Sequence, residues 1–380
     1  MKLIDVCDFQ GGSQPPKDEW SFEAKDGYIR MLQIRDFTQG EKVIPEYIKL
    51  SANTKTCQAD DVLIARYGAS LGKILTGLSG AYNVAIMRTI PNEEFIRKRY
   101  LYYFLKSNAF QKGILEVGAR AAQAGFNKDD LSKLEIPCPS LSDQDQIIGR
   151  LNTISRIIDF RMMQLDCLDQ LTEARFFELF GNPVLNEKEW TTKPLLEMGT
   201  CKNGMNFHND DSGVEINCLG VGDFKNHSVI ENTELLPKVS LNEMPSNDYL
   251  LKDDDIVFVR SNGNKALVGR SVAVYPGAIP TTFSGFCIRY RKHDDVVTIP
   301  YLLRVLKTDS MRKKMAGRGA NIHNLNQQIL SNLVIPVPPI ELQIQFDHFV
   351  KKVDKSKAVV QKALDETQVL FESLMQKYYG

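Results

Sequence analysis

Arg66, Tyr67, Ser70 and Lys73 fall in one run punctuated by Gly68 and Gly72. Arg260, Ser261, Asn262, Asn264 and Lys265 fall in a second run around Gly263. A guanidinium can donate two parallel hydrogen bonds to guanine, and an amide can pair bidentately with adenine, in the major groove of a duplex. Glycine allows positive φ and close backbone approach at such a loop. A second pair of stretches has the same character. Arg120 and Gln123 precede Asn127; Arg318, Asn321 and His323 precede Asn326. Asn127 and Asn326 themselves read as N-caps of short helices before Leu131 and Leu330.

Catalytic chemistry is poorly supported. Gly68-Ala-Ser-Leu-Gly72-Lys73 superficially suggests a phosphate loop, but Tyr67 stands where glycine is needed and Ile74 where Ser or Thr would hold magnesium. Asp18, Glu23 and Lys25 could suggest a metal-dependent nuclease. They lie in one polar, loop-like stretch without a counterpart later in the chain. Gly11-Gly12 lacks the spacing of a dinucleotide fingerprint. The seven cysteines are odd in number, and no two lie within four residues of each other. That pattern spells neither a disulfide framework nor a zinc cluster. Small buried apolar cysteines in a reducing cytoplasm are expected. The five histidines show no metal-ligand spacing. The N-terminus lacks the apolar core of a signal peptide, and no apolar run is long enough for a membrane span.

The chain is built from an internal repeat. Leu32-Gln-Ile-Arg-Asp36-Phe37 returns as Leu219-Gly-Val-Gly-Asp223-Phe224. Asp60-Asp-Val-Leu-Ile-Ala-Arg66 returns as Asp254-Asp-Ile-Val-Phe-Val-Arg260. Ile136-Pro-Cys-Pro139 returns as Ile335-Pro-Val-Pro338, Gln144 and Gln146 as Gln343 and Gln345, and Phe180-Gly181 as Tyr379-Gly380. Five matches in the same order outweigh chance. Each half opens with short strand-like runs and a helix-like segment at 100–105 or 301–306. Each closes with a long helix. Positions 147, 151, 154, 158, 161, 165, 168, 172, 175 and 179 follow a 4-3 spacing, as do the positions 199 residues later. Most are apolar, so both helices carry a heptad seam and are expected to pack antiparallel as a coiled coil. Two separate amphipathic helices, each lying on its own domain, are the alternative. The fold class is therefore α+β: two similar globular domains, residues 1–140 and 183–339, and two long helices, 141–182 and 340–380.

This arrangement resembles the specificity subunit of type I restriction-modification systems over essentially the whole chain. Carrying the resemblance are the domain openings Tyr28-Ile-Arg-Met-Leu-Gln-Ile-Arg-Asp36 and Cys218-Leu-Gly-Val-Gly-Asp223, the IPxP turn, the long helix, Phe180-Gly-Asn-Pro183 and Trp190. The resemblance implies a non-catalytic reader of double-stranded DNA. Each globular domain would be a target-recognition domain for one half of a bipartite target. The helices would space the half-sites and dock two methyltransferase subunits. A translocase-nuclease subunit would join the complex where the system restricts. S-adenosylmethionine would belong to the methyltransferase, and this chain would hold no cofactor of its own. The motif that grips an extruded base in such methyltransferases, Asn/Asp-Pro-Pro-aromatic, is absent here. The competing reading is a duplicated coiled-coil scaffold that joins proteins without sequence-specific DNA contact.

Lys plus Arg and Asp plus Glu both number 47, so the formal net charge is zero. That excludes a histone-like binder, which needs a large positive excess. The charge is uneven along the chain. Window 97–133 holds eight basic and three acidic residues, and window 296–332 six and one, while 141–182 holds four and seven. Two equivalent basic faces, one per repeat, are the expectation.

Overall fold

Leu63-Ile64-Ala65 and Ile256-Val-Phe-Val259 are buried on both sides, as apolar runs bounded by Asp and Gly turns demand of central strands. Each run lies inside a sheet with the same strand order. In the computed structural model, the first sheet runs Cys7–Gly11, Ile86–Pro91, Leu63–Ala65, Ile74–Leu75. The second runs Gly199–Asn203, Cys287–Lys292, Asp255–Val259, Ser271–Val274 and adds Val229–Ile230. A companion sheet also recurs. Tyr28–Leu32 pairs antiparallel with Glu46–Lys49 and parallel with Gly80–Tyr82. Val214–Leu219 does the same with Lys238–Leu241 and Thr281–Phe283. The repeat inferred from sequence is thus a repeat of topology.

The structure describes residues 1–118, 125–207, 212–224, 228–316 and 324–380. They form two units, residues 1–163 with 361–380, and residues 164–360. Both long helices, Leu141–Phe180 and Ile340–Tyr379, are divided between the units. All ten seam positions of each helix are buried or half-buried. In the first unit the helices meet antiparallel: Arg150 Nη1 donates to Tyr378 Oη at 3.0 Å, and the Arg161 guanidinium donates to the Ala363 carbonyl. In the second unit Lys357 pairs with Asp169, and Phe176 packs edge-on against Phe346 with ring centroids 5.7 Å apart. The helix ends are anchored by aromatics. Tyr379 lies 4.9 Å from Tyr100 in the first core, and Phe180 lies 4.7 Å from Tyr301 in the second. The terminal aromatic–glycine pairs are therefore core plugs.

The twin glutamines show why the halves share more than topology. Gln144 is fully buried; its Oε1 accepts from Arg97 N, and its Nε2 donates to the carbonyls of Phe95 and Pro139. Gln343, also fully buried, makes the same three bonds with Thr298, Val296 and Pro338. Each amide ties the start of a long helix to the segment opening Lys98–Lys106 or Ile299–Lys307.

Candidate nucleic-acid interface

The glycine-bearing loops sit at the end of the central strands. In the first unit Ala65 N donates to Lys73 O and Gly72 N to Ala65 O, both at 2.9 Å, closing a tight hairpin. A short 3-10 turn, Gly68–Ser70, forms its tip, with Gly68 at φ 69° and Gly72 at φ 78°. These are left-handed values that favour glycine. In the second unit Val259 N donates to Arg270 O and Gly269 N to Val259 O. The second loop is therefore longer, and Arg270, rather than Lys265, matches Lys73. Lys265 instead starts a 3-10 turn, Lys265–Leu267, capped by the Asn264 side chain. Lys265 thus lies within the second loop, where the sequence places it, and the closing position belongs to Arg270.

Tyr67, Lys73 and Lys265 are exposed, while Arg66, Ser70, Arg260, Ser261 and Asn262 are half-buried. The two arginines occupy equivalent places. Arg66 N donates to Ala85 O at 2.8 Å, and its Nη1 reaches Val84 O at 3.5 Å. Arg260 N donates to Phe286 O at 2.7 Å, and its Nη1 reaches Gly285 O at 3.4 Å. Arg66 also lies 5.0 Å from the Tyr67 ring centroid. These guanidinium bonds are long, so each side chain is steered by a turn without being spent on it.

The second candidate stretch comes to the same point. Tyr67 forms an isolated antiparallel bridge with Gly125, and Arg66 Nε donates to Phe126 O at 3.3 Å. A Cβ on Gly125 would lie 2.5 Å from the Tyr67 ring, which explains the glycine. In the other unit Leu325 N donates to Arg260 O at 2.8 Å. In each unit both candidate stretches therefore converge on one arginine. Arg120, Gln123, Arg318, Asn321 and His323 lie outside the described residues. Asn127 and Asn326 are caps, accepting from Asp130 N and Ile329 N.

Among the described residues, ion pairs take up part of the charge counted in the basic windows, chiefly in the first. Arg97 pairs with Asp145 at 3.1 Å, and Lys98 with Asp60 at 2.7 Å and Asp61 at 3.3 Å. Lys128 pairs with Asp8, and Arg304 with Glu173 at 3.4 Å. Partners remote in sequence thus pair with three basic residues of the first window and one of the second. Lys112, Lys313 and Lys314 remain exposed.

Sequence reasoning missed the turns Asn83–Ile86 and Ser284–Cys287. Their signal is the glycine behind each. A Cβ on Gly12 would lie 2.1 Å from Asn83 O, and one on Gly204 would lie 2.1 Å from Ser284 O. The chain there must approach a backbone directly.

The remaining chemistry is inert. Burial pushes the Cys7, Cys201 and Cys218 thiols up to about 12 and Cys57 up to about 11. They stay protonated and behave as apolar groups. Cys167 departs from the expectation of burial, standing exposed on the first long helix. Among the described residues no group of three or more His, Cys, Asp or Glu is placed to hold a metal, and no helix is long and apolar enough to cross a membrane.

Comparison with known proteins gives a consistent result. The family model described as type I restriction modification DNA specificity domain matches residues 1–166 and 187–367. The type I restriction enzyme StySPI specificity subunit of Salmonella potsdam is 23% identical, covering 93% of this chain and 82% of its own length. The MjaVIII specificity subunit of Methanocaldococcus jannaschii is 21% identical over 93% and 85%. Among solved structures, one concerned with assembly and conformational transition of the type I system aligns with a TM-score of 0.60 at 17% identity, covering 100% of this chain and 96% of the other. The S subunit from M. genitalium aligns at 0.56 and 16%, covering 100% and 95%.

Proposed function

Because this chain belongs to the family of type I restriction-modification DNA specificity subunits, a non-catalytic class of DNA readers, we propose that each unit reads one half of a bipartite duplex target. The carrying observation is the convergence of two loops on Arg66 in one unit and on Arg260 in the other. An arginine steered at a strand end by weak carbonyl bonds can turn its remaining donors to a guanine edge. Asn262 and Ser261 beside Arg260 add an adenine-capable amide and a hydroxyl. Tyr67, Ser70 and Lys73 give the first unit a different set. The two sets are unlike, which suits an asymmetric target. Exposed lysines would supply phosphate contacts that orient the duplex without reading it.

The long helices then serve as the docking surface for two methyltransferase subunits, which carry S-adenosylmethionine. Exposed apolar side chains support this role: Phe160 is 63% and Met163 61% exposed in the first unit, and Val359 69% in the second. Such residues on an otherwise polar helix surface suit a protein partner. The number of helical turns sets the spacing between half-sites.

Electrophoretic mobility shift with and without a co-expressed methyltransferase tests the reading. A sequence-selective shift that appears with the methyltransferase is expected. Equal retardation of unrelated duplexes by the assembled complex would instead favour the scaffold reading. Exchanging residues 1–140 for another recognition domain should change one half-site only.

A further inference from the structure

Phe286 is 60% exposed at the tip of the turn Ser284–Cys287, between a buried strand on one side and a buried sheet neighbour on the other. Most of this large apolar ring therefore stands in water. Hydrogen bonds and a close backbone approach hold the turn. Cys287 N donates to Ser284 O at 2.8 Å, Phe286 N to Ser284 Oγ at 3.3 Å, and Gly204 lies directly beneath. The Phe286 carbonyl accepts from Arg260 N at 2.7 Å, so the ring is carried next to the proposed reading arginine.

The first unit repeats the turn with different side chains. Ile86 N donates to Asn83 O, and Ala85 N to Asn83 Oδ1 at 3.1 Å. Ala85 stands at the place of Phe286, and the exposed apolar residue is its neighbour Val84, 41% exposed. The position before it also differs between the units. Val84 corresponds to Gly285, where a Cβ would require the Asn206 side chain to move and would lie 3.1 Å from Met205 O. The second unit presents its apolar group one position later, on Phe286.

We propose that this turn is a further specificity element, and that Phe286 packs against the 5-methyl group of a thymine in the half-site read by the second unit. The inference rests on the DNA-reading function above and deepens it. Thymine is the base whose major-groove edge offers an apolar group, and phenylalanine is among the side chains that contact it. Hydrogen-bonding residues such as Arg260 and Asn262 cannot detect that methyl, so the turn adds information their donors and acceptors lack.

The test uses the full chain assembled with its methyltransferase subunits, on the duplex identified by mapping its methylation. Each thymine is replaced in turn by deoxyuridine, which removes only the methyl. For the wild-type complex, one replacement in a single half-site should weaken binding about fourfold, the factor expected for burial of one such group. Phe286→Ala should weaken binding to the unmodified duplex by a similar factor, leave unrelated duplexes unaffected, and erase the sensitivity to that deoxyuridine. Phe286→Leu should retain it. A wild-type complex that binds selectively yet ignores every thymine methyl overturns the proposal, as does a Phe286→Ala complex with full sensitivity. A wild-type complex without any sequence preference fails earlier, at the DNA-reading function itself.

Discussion

Replacing Gln144 or Gln343 by alanine should loosen one unit and leave the other largely intact. Each side chain is fully buried and satisfies three backbone groups: one N–H and two carbonyls. Alanine removes this partner from all three, although the Phe95 carbonyl keeps the Cys138 thiol at 3.3 Å. A buried polar group left without a partner costs about 1–3 kcal/mol. The three groups share one pocket, and water entering it recovers part of the loss, so about 3 kcal/mol is expected for each variant. Hydrogen exchange is the suitable assay, because it reports opening free energies segment by segment. In Gln144→Ala, amides of residues 98–106 and of the start of the first long helix should exchange roughly a hundredfold faster, the factor that ~3 kcal/mol implies. In Gln343→Ala the effect should move to residues 299–307 and the start of the second helix. Gln144→Glu adds a pH signature. It keeps the shape but aims a carboxylate at two carbonyls, which raises its pKa above the ordinary value of about 4.3. The destabilisation is then present at neutral pH and relieved as pH falls through the raised value. Exchange changing by less than twofold, or equally in both units, would refute the assignment of these glutamines as the ties between helix and domain.

Arg66→Ala and Arg260→Ala should each relax selectivity at one half-site and cost about 1–3 kcal/mol in binding to the cognate duplex, read by competition titration against single-base variants. Deleting one heptad from both long helices should alter the spacing between half-sites and not their sequences, read by methylation mapping. Lys307 donates to Ser228 Oγ at 2.7 Å beside a cavity of about 550 Å3, and burial with the nearby Arg304 pushes its ammonium down to about 8. Between that value and the ordinary one the unfolded chain binds more protons, so stability rises as pH increases through the window. Lys307→Met should flatten that rise and add roughly 1–3 kcal/mol at pH 7, seen as a higher melting temperature. Phe176→Ala, which empties a site packed by Phe180, Tyr301 and Phe346, should cost about 3–5 kcal/mol in thermal unfolding.

What could be read from the residues follows from how far each feature reaches along the chain. The seam was legible because a heptad pattern is local: every position from Ile147 to Leu179, and from Phe346 to Tyr378, lies on the covered side of its helix. The repeat was legible because insertions shift an alignment without erasing matches such as Gln144 with Gln343. The first basic window shows the opposite limit. Arg97, Lys98 and Lys128 find Asp145, Asp60 and Asp8 at separations no window contains, so counting charge by segment overstates free charge by segment. Position-by-position equivalence within the loops needs the fold for a related reason. Lys265 stands five residues after Arg260 and Lys73 seven after Arg66, yet only the hydrogen bonds closing each hairpin reveal Arg270 as the match for Lys73. The turn at Phe286 needed more still. Its conformation depends on Gly204, some eighty residues earlier, and the Asn206 side chain crowds the neighbouring Gly285. A specificity element is therefore the part of such a chain least open to reading in one dimension. Its backbone is fixed by contacts distant in sequence, and its side chains are free to differ between the two units because the core does not constrain them.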